Sequence, residues 1–349
     1  MRNSTLQIGI VGVGGIGRQE HLPCWAKVPF AQVVALADVS EDSLNQAAAL
    51  APKARTLRDW HELIALDSVD VVDICTPNKT HAPIAVAALA AGKHVLCEKP
   101  LATTAAEIRA MRDAAQNAGR LLMCAQQLRF HPACRQLKAL IDGGLLGEIY
   151  YARAQWLRRR LLPPRSSFIE RRLSGGGAAL DIGVHVLDLA YWFLGAPEPL
   201  TVSAVVETKL AHRPDITGAW GDWDRGRLDV EDFATAFVRF VGGASLTLEV
   251  SWLIFQPESE TVRLQCFGTH GGLIWPEGVL SGETNRVPWE LRLKETPTEP
   301  AHAAEIAAFA EAVRQGSPSP VPVEQSLNVV RILEAIYQSG QEKREIILT

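Results

Sequence analysis

No stretch of the 349 residues is apolar for long enough to cross a bilayer as a helix, which removes the helical membrane-spanning classes. Positive charge is not in excess either. Lys and Arg number 35 against 39 Asp and Glu, a net charge of -4, so the broad basic surface that a nucleic-acid partner demands is missing. The six cysteines contain no C-x-x-C pair and no Cys/His spacing of a zinc site, so no metal is expected. Cys75, Cys97 and Cys124 close apolar runs, where a free thiol serves as a small hydrophobic group, and all six are expected to be reduced. The chain enters its first apolar run without a signal-peptide pattern, and a cytoplasmic location is the expectation. What remains is an ordinary globular composition, 47% hydrophobic and 21% charged, on a chain long enough for two domains.

The most informative stretch is Leu6 to Gly17, LQIGIVGVGGIG. Ile8, Ile10, Val11 and Val13 form a β-branched run suited to a strand covered on both faces. Gly12, Gly14 and Gly17 then fit G-x-G-x-x-G. The first glycine permits a tight turn, the second lets a pyrophosphate approach the backbone, and the third lets the next helix pack on the strand. Asp38 closes a second apolar run, Val33 to Ala37, with no Arg or Lys at 39 or 40. A carboxylate there can bind a ribose diol and repel a 2′-phosphate, which favours NAD over NADP. Its competing reading is a helix cap, a task Ser40 could equally perform.

Apolar runs at 6–11, 32–37, 69–75, 93–97 and 120–125 alternate with helical segments such as 78–91 and 103–117. This alternation predicts a doubly wound parallel sheet over residues 1–125. Beyond it, residues 132–141 read as helix, and a strand begins near Glu148. Two-residue alternation marks 200–208, 232–241, 245–252 and 261–267, with Leu246, Leu248, Val250 and Trp252 on one face. Residues 126–349 are therefore expected to be an α+β domain on an open antiparallel sheet, covered on one face by helices at 178–194, 303–315 and 324–339. The other face could meet a second subunit, giving a homodimer or homotetramer. Ser317–Pro320 reads as a local linker.

Two stretches carry chemistry. A nicotinamide bound at the glycine turn would extend over the C-terminal ends of the parallel strands, which brings in Thr76, Pro77, Asn78 and His81 after one run and Glu98 and Lys99 after the next. Lys99 could polarise a carbonyl or share a proton with a hydroxyl; its plain alternative is a solvated lysine paired with Glu98. The second stretch is GGGAALDIGVHVLD at 175–188. Asp181 and His185 stand four apart and share one face of a helix, the arrangement of an oriented general base, while Asp188 reads as structural. A core histidine is the competing reading, and Gly183 inside a helix implies tight packing.

GVGGIG at 12–17, the acid at 38, CTPNKTH at 75–81, GKHVLCEKPLA at 92–102, RFHP at 129–132 and GGGAALDIGVHVLD together resemble the Gfo/Idh/MocA superfamily of glucose-fructose oxidoreductase, inositol dehydrogenase and rhizopine catabolism proteins. The resemblance runs over nearly the whole chain. It implies a Rossmann domain, an open-faced sheet domain, and oxidoreduction of a sugar or cyclitol with a nicotinamide. The lysine of the family's EKP motif falls on Lys99, and the D-x-G-x-H motif on Asp181 and His185. The expected cofactor set is Gly12, Gly14, Gly15, Ile16, Gly17, Asp38, Thr76, Pro77, Asn78, His81, Glu98, Lys99 and Gln126. Two other activities fit the same motifs: a glycosidase that oxidises transiently, and a non-catalytic sensor of a dinucleotide or sugar.

Arginines at 153, 158, 159, 160, 165, 171 and 172 face a single acid in that interval, Glu170. Arg129, Trp156, Arg158 and Arg160 are the candidate substrate residues. An anionic sugar is one reading of this cluster, and a surface cluster paired with the acids of 222–232 is the other. Trp220 and Trp223, among Asp222, Asp224 and Asp229, suit either a sugar ring or an interface.

Overall fold

The computed structural model describes residues 5–294 and 300–348. It contains two compact units, Met1–Phe130 with Glu299–Leu327, and His131–Thr298 with Asn328–Thr349.

In the first unit, strands β1 (Leu6–Val11), β2 (Ala31–Ala37), β3 (Arg55–Leu57), β4 (Val71–Ile74), β5 (His94–Glu98) and β6 (Leu122–Ala125) form one parallel sheet in the order β3-β2-β1-β4-β5-β6. The order reverses between β1 and β4, the switch point at which such sheets open a crevice for ligands. Ile8, Ile10, Leu36, Val71, Val72 and Leu96 are fully buried, as a sheet covered on both faces requires. Helices α1 (Leu22–Trp25), α2 (Glu41–Ala48), α3 (Trp60–Ile64), α4 (His81–Ala90) and α5 (Ala105–Ala118) make the crossovers. Local chemistry fixes their ends. Thr104 and Glu107 form a reciprocal capping box at the start of α5, and Gly119 closes it at φ 60°. A π-helical turn, Gly17–His21, leads into α1.

The second unit begins with α6 (Pro132–Asp142). Strands β7 (Ile149–Arg158), β8 (Pro199–Glu207), β9 (Phe233–Phe240), β10 (Ser245–Ser251), β11 (Glu260–Gly268), β12 (Gly271–Trp275), β13 (Val279–Thr284), β14 (Val287–Arg292) and β15 (Ile346–Ile347) form a sheet ordered β14-β13-β12-β11-β7-β10-β9-β8-β15. All its pairs are antiparallel except β7 with β10, so the sheet is mixed where a purely antiparallel one was expected. Short helices α7 (Ser166–Ile169) and α8 (Arg171–Ser174) precede a π turn at Ala179–Gly183 and helix α9 (Val184–Phe193). Every residue of α9 except Trp192 is buried, because it lies on the face that carries Ala152, Ala154, Leu246, Leu248 and Val250. The opposite face shows Tyr151 stacked on Phe267 at 5.4 Å and Tyr151 Oη donating to Thr247.

One part of the domain reading is corrected. Helix α10 (Ala301–Gln315) does not cover the second sheet; it belongs to the first unit, where Phe309 packs edge-on against Trp25 at 6.3 Å. The division expected after residue 125 lies after Phe130, and the unit boundary is crossed again inside α11 (Val323–Glu342). From Asn328 onward α11 does serve the second unit, with Gly340 set against Val206 of β8 so closely that a Cβ would meet it at 2.8 Å.

Candidate active site

The three glycines of the first turn meet three different surroundings. A Cβ on Gly12, held at φ +89°, would strike the Cys75 and Thr76 backbone at 2.6–2.8 Å. One on Gly17 would strike the Gly12 carbonyl at 2.1 Å, so this glycine lets the π turn close on β1. At Gly14 nothing lies within 4 Å. Two glycines are thus required by packing and the middle one faces open space, the pattern expected of a pyrophosphate cradle. Gly15 is half-buried and Ile16 exposed beside it.

Asp38 stands next to this turn. Its Oδ2 accepts from Val13 N at 2.9 Å and its Oδ1 from Ser40 N at 2.8 Å. The cap of α2 is Ser40, whose hydroxyl accepts from Ser43 N, so the capping alternative for Asp38 falls away. Thr76, Pro77 and Asn78 follow β4 and are partly exposed, with Thr76 Oγ1 accepting from Thr80 Oγ1.

His81 and Arg129 need correction. His81 is completely buried, its Nδ1 2.9 Å from the Pro100 carbonyl and its Nε2 2.8 Å from the Thr76 carbonyl. It ties two loops from behind and has no ring nitrogen to offer a cofactor; burial pushes its pKa down against the pull of those carbonyls. Arg129 is buried and hydrogen-bonds the Gln325 side chain, which makes it a tie between the 127–130 turn and α11 within the first unit, not an open substrate donor. Gln126 is likewise buried, and its carbonyl accepts from Arg129 N.

Lys99 is half-buried, directly after β5. Its neighbour Glu98 is buried, with Oε2 accepting from the Lys99 backbone N–H at 3.0 Å and Oε1 set 2.9 Å from His21 Nε2. Glu98 therefore supports Lys99 from beneath. His21 and, beyond it, Asp73 were missed from sequence. Asp73 carried the one available signal, a carboxylate in the otherwise apolar strand Val71–Ile74. Nδ1 of His21, Oδ of Asp73 and Sγ of Cys75 lie within 4.8 Å of one another, and each ring nitrogen stands 2.9 Å from a carboxylate oxygen.

In the second unit Gly175–Gly177 bring the chain against Glu231 and Tyr337. A Cβ on Gly176 would meet Tyr337 Oη at 2.1 Å, and one on Gly177 the Glu231 carbonyl at 2.0 Å. The buried Glu231 carboxylate accepts from Gly177 N, Ala179 N and Tyr337 Oη at 2.8–3.0 Å, fixing the entry to the π turn. Burial pushes its pKa up, more than these three donors pull it down. Asp181 lies in the π turn and His185 just past it in α9, so the two do not share the one regular helix assumed from sequence. Asp181 Oδ2 accepts from Trp252 Nε1 at 2.9 Å and lies 3.9 Å from the Arg158 guanidinium. Gly183 is explained by Val250, whose Cγ1 stands 3.3 Å from where a Cβ would be.

His185, 7% exposed, faces the Trp156 ring at 5.5 Å. Arg158 lies over Trp156 at 5.4 Å and over Trp220 at 5.0 Å, while its Nε bonds Glu260 Oε1 at 2.7 Å. Glu260, although partly buried, is held below its usual value by Arg158 and by Trp156 Nε1. Other members of the cluster are engaged as well: Arg153 with Glu249, Arg159 with the Pro257 carbonyl, Arg160 with Thr217, Arg172 with Glu170, and Arg171 with the Asp229 backbone. Their partners are mostly not the acids of 222–232. Trp223 is a core residue donating to the Ala211 carbonyl, whereas Trp220 is half exposed. The six cysteines form no disulfide and are buried.

Known proteins resemble both parts of the chain. The family model described as "Oxidoreductase family, NAD-binding Rossmann fold" matches residues 6–126, and the "GFO/IDH/MocA C-terminal domain" matches residues 134–274. The chain is 32% identical to D-glucoside 3-dehydrogenase of Escherichia coli K12, over 98% of this chain and 97% of that one. It is 31% identical to levoglucosan dehydrogenase of Pseudarthrobacter phenanthrenivorans, over 78% of this chain and 73% of the relative. Among solved structures, levoglucosan dehydrogenase in complex with NADH and levoglucosan superposes with a TM-score of 0.85 at 26% identity, covering 99% of both chains.

Proposed function

Because the chain belongs to the Gfo/Idh/MocA family of oxidoreductases with an NAD-binding Rossmann domain, we propose that it oxidises a secondary hydroxyl of a neutral pyranoside or cyclitol, with NAD preferred over NADP. The observation that carries the reading is the pairing of an intact cofactor turn, open at Gly14 and flanked by Asp38, with a histidine set against an aromatic wall at Trp156. Bound at that turn, a nicotinamide dinucleotide supplies the acceptor for a hydride from the sugar carbon.

His185 is read as the base for the reacting hydroxyl, and Lys99 as a donor able to polarise a carbonyl. Asp181 orients the imidazole and stabilises its protonated form, itself held by Trp252. Trp156 and Arg158 wall the sugar. The substrate is read as neutral because six of the seven arginines that suggested an anion are already engaged, Arg158 by Glu260 above all. The engagement of Asp38 with the turn supports the preference for NAD. Among the described residues no helix is long and apolar enough to cross a membrane, and the aromatic face of the sheet suits pairing with a second copy.

The test offers NAD with neutral pyranosides, cyclitols and sugar acids and follows the reduced nicotinamide by absorbance. Sustained reduction by neutral members is expected, and its loss in Lys99→Met and in His185→Ala, with cofactor affinity kept. Hits confined to sugar acids would restore the anionic reading. No reduction by any member would leave a binding protein.

A further inference from the structure

Three buried titratable groups of the first unit take no step in the scheme above. Asp73, His21 and Glu98 are 0%, 0% and 8% exposed. His21 Nδ1 lies 2.9 Å from Asp73 Oδ2, and its Nε2 lies 2.9 Å from Glu98 Oε1. Both carboxyl groups act as acceptors elsewhere as well: Trp25 Nε1–H donates to Asp73 Oδ2 at 2.7 Å, and the Lys99 backbone N–H donates to Glu98 Oε2 at 3.0 Å. Two acceptors flanking one imidazole call for a proton on each ring nitrogen, hence an imidazolium. The electrostatics agree. Burial works against a charged His21, but the Asp73 charge and hydrogen bond outweigh it and hold the ring well above its usual value. Burial pushes Glu98 up, and His21 with Lys99 brings it down to about 2.

A buried ion triad of this kind adds little stability over apolar packing, while removing one member leaves an uncompensated charge. What it does is connect. Asp73 lies in β4 at the switch point, His21 ends the π turn that follows the glycine cradle, and Glu98 is the last residue of β5, joined to Lys99 through the backbone N–H.

We propose that His21 is a positioning residue for Lys99: bridging Asp73 and Glu98 as a buried imidazolium, it locks the Glu98 carboxylate and thereby the backbone from which the Lys99 amine acts. The inference deepens the function proposed above and rests on Lys99 being the lysine of that reaction. Charged or titratable groups surround His21: Glu20 and Cys24 on its own helical stretch, Asp73 in β4 with Cys75 just after it, Glu98 in β5 with Lys99 just after it, and His302 and Glu305 from α10. Burial pushes His302, whose ring lies 6.1 Å from that of His21, towards its neutral form and raises the Cys75 thiol to about 12. Near neutral pH, His21 is the ring that holds the cluster's proton.

The decisive variant is His21→Gln, which keeps a donor but loses the charge. The account expects kcat to fall about tenfold or more, since a small misplacement of an acting group costs that much, with KM for the sugar and affinity for NADH within about threefold of wild type. A variant that fails to fold is bypassed by 15N-histidine NMR of the wild-type holoenzyme. One ring should remain doubly protonated at about pH 8, well above the usual histidine range, and kcat should decline over the pH interval in which that ring loses its proton. An unchanged kcat in His21→Gln, or no doubly protonated ring at that pH, overturns the inference. Lys99→Met separates the two claims: full turnover there refutes the role of Lys99 itself, whereas an inactive Lys99→Met beside an unaffected His21→Gln refutes only the positioning role.

Discussion

In the first unit the chain runs from the glycines at 12–17 through a π turn to His21; in the second it runs from the glycines at 175–177 through a π turn at Ala179–Gly183 to His185. Each loop is pressed close by glycines, and each wide turn aims a histidine inward. The surroundings then divide them. His21 is shut between two carboxylates and spends both ring nitrogens there. The His185 ring lies 5.5 Å from that of Trp156, four residues past an aspartate held by Trp252. The same local device thus serves a fixed charge in one place and, as proposed, a proton acceptor in the other. The lesson is that partners from distant elements, more than the turn itself, decide what such a histidine does.

The sharpest way to break this comparison is to truncate both rings. His185→Ala should lower turnover about a thousandfold or more while shifting thermal stability little, whereas His21→Ala should cost about 3–5 kcal/mol of stability by stranding two buried carboxylates. Equal stability losses by calorimetry would erase the distinction.

The glycines come next. Gly177→Ala should be destabilised by roughly 2–3 kcal/mol, because its Cβ would stand 2.0 Å from the Glu231 carbonyl. Gly14→Ala, with nothing within 4 Å, should keep its melting temperature and lose NAD affinity. Denaturant unfolding and NADH titration read both; a destabilised Gly14→Ala, or unimpaired NAD binding, would count against the open cradle.

Much of this was readable in advance because it was local. The three cradle glycines, the D-x-G-x-H spacing and the alternation of Leu246, Leu248 and Val250 each declare themselves within a few residues. His21 did not, since its partners lie 52 and 77 positions away. Strand β3 escaped notice because it is three residues long and exposed at Arg55 and Thr56. Helix α10 was assigned to the wrong sheet because an alanine-rich helix carries no mark of its destination; that was decided by the contact of Phe309 with Trp25. The π turns also have no sequence rule, although Gly183, tight against Val250, hinted at one of them.

Two of the buried glutamates sharpen the contrast through pH. Glu98 is depressed from 4.5 to about 2, so its stabilisation, about 3 kcal/mol, is present above pH 4.5 and is lost as pH falls towards 2. Glu231 is raised, so its contribution is full below 4.5 and is lost as pH rises through its folded value. Urea midpoints across pH should show Glu98→Gln flattening the acid limb and Glu231→Gln flattening a slope of opposite sign; matching slopes would contradict the assignment. The smallest effect belongs to Asp38→Ala, which should erode the preference for NAD over NADP by about tenfold in kcat/KM, as loss of one charge-assisted contact predicts. A wild-type enzyme that already prefers NADP would overturn the reading of Asp38.

The central claim is hydride transfer from a neutral sugar carbon to the bound nicotinamide. Single-turnover reaction of the NAD-loaded enzyme with a uniformly carbon-deuterated neutral pyranoside tests it most directly by mass spectrometry. The account predicts one deuterium on the reduced nicotinamide and an oxidised sugar as product, with transfer abolished in His185→Ala. Reduced cofactor free of deuterium, or transfer that persists undiminished in His185→Ala, would contradict it.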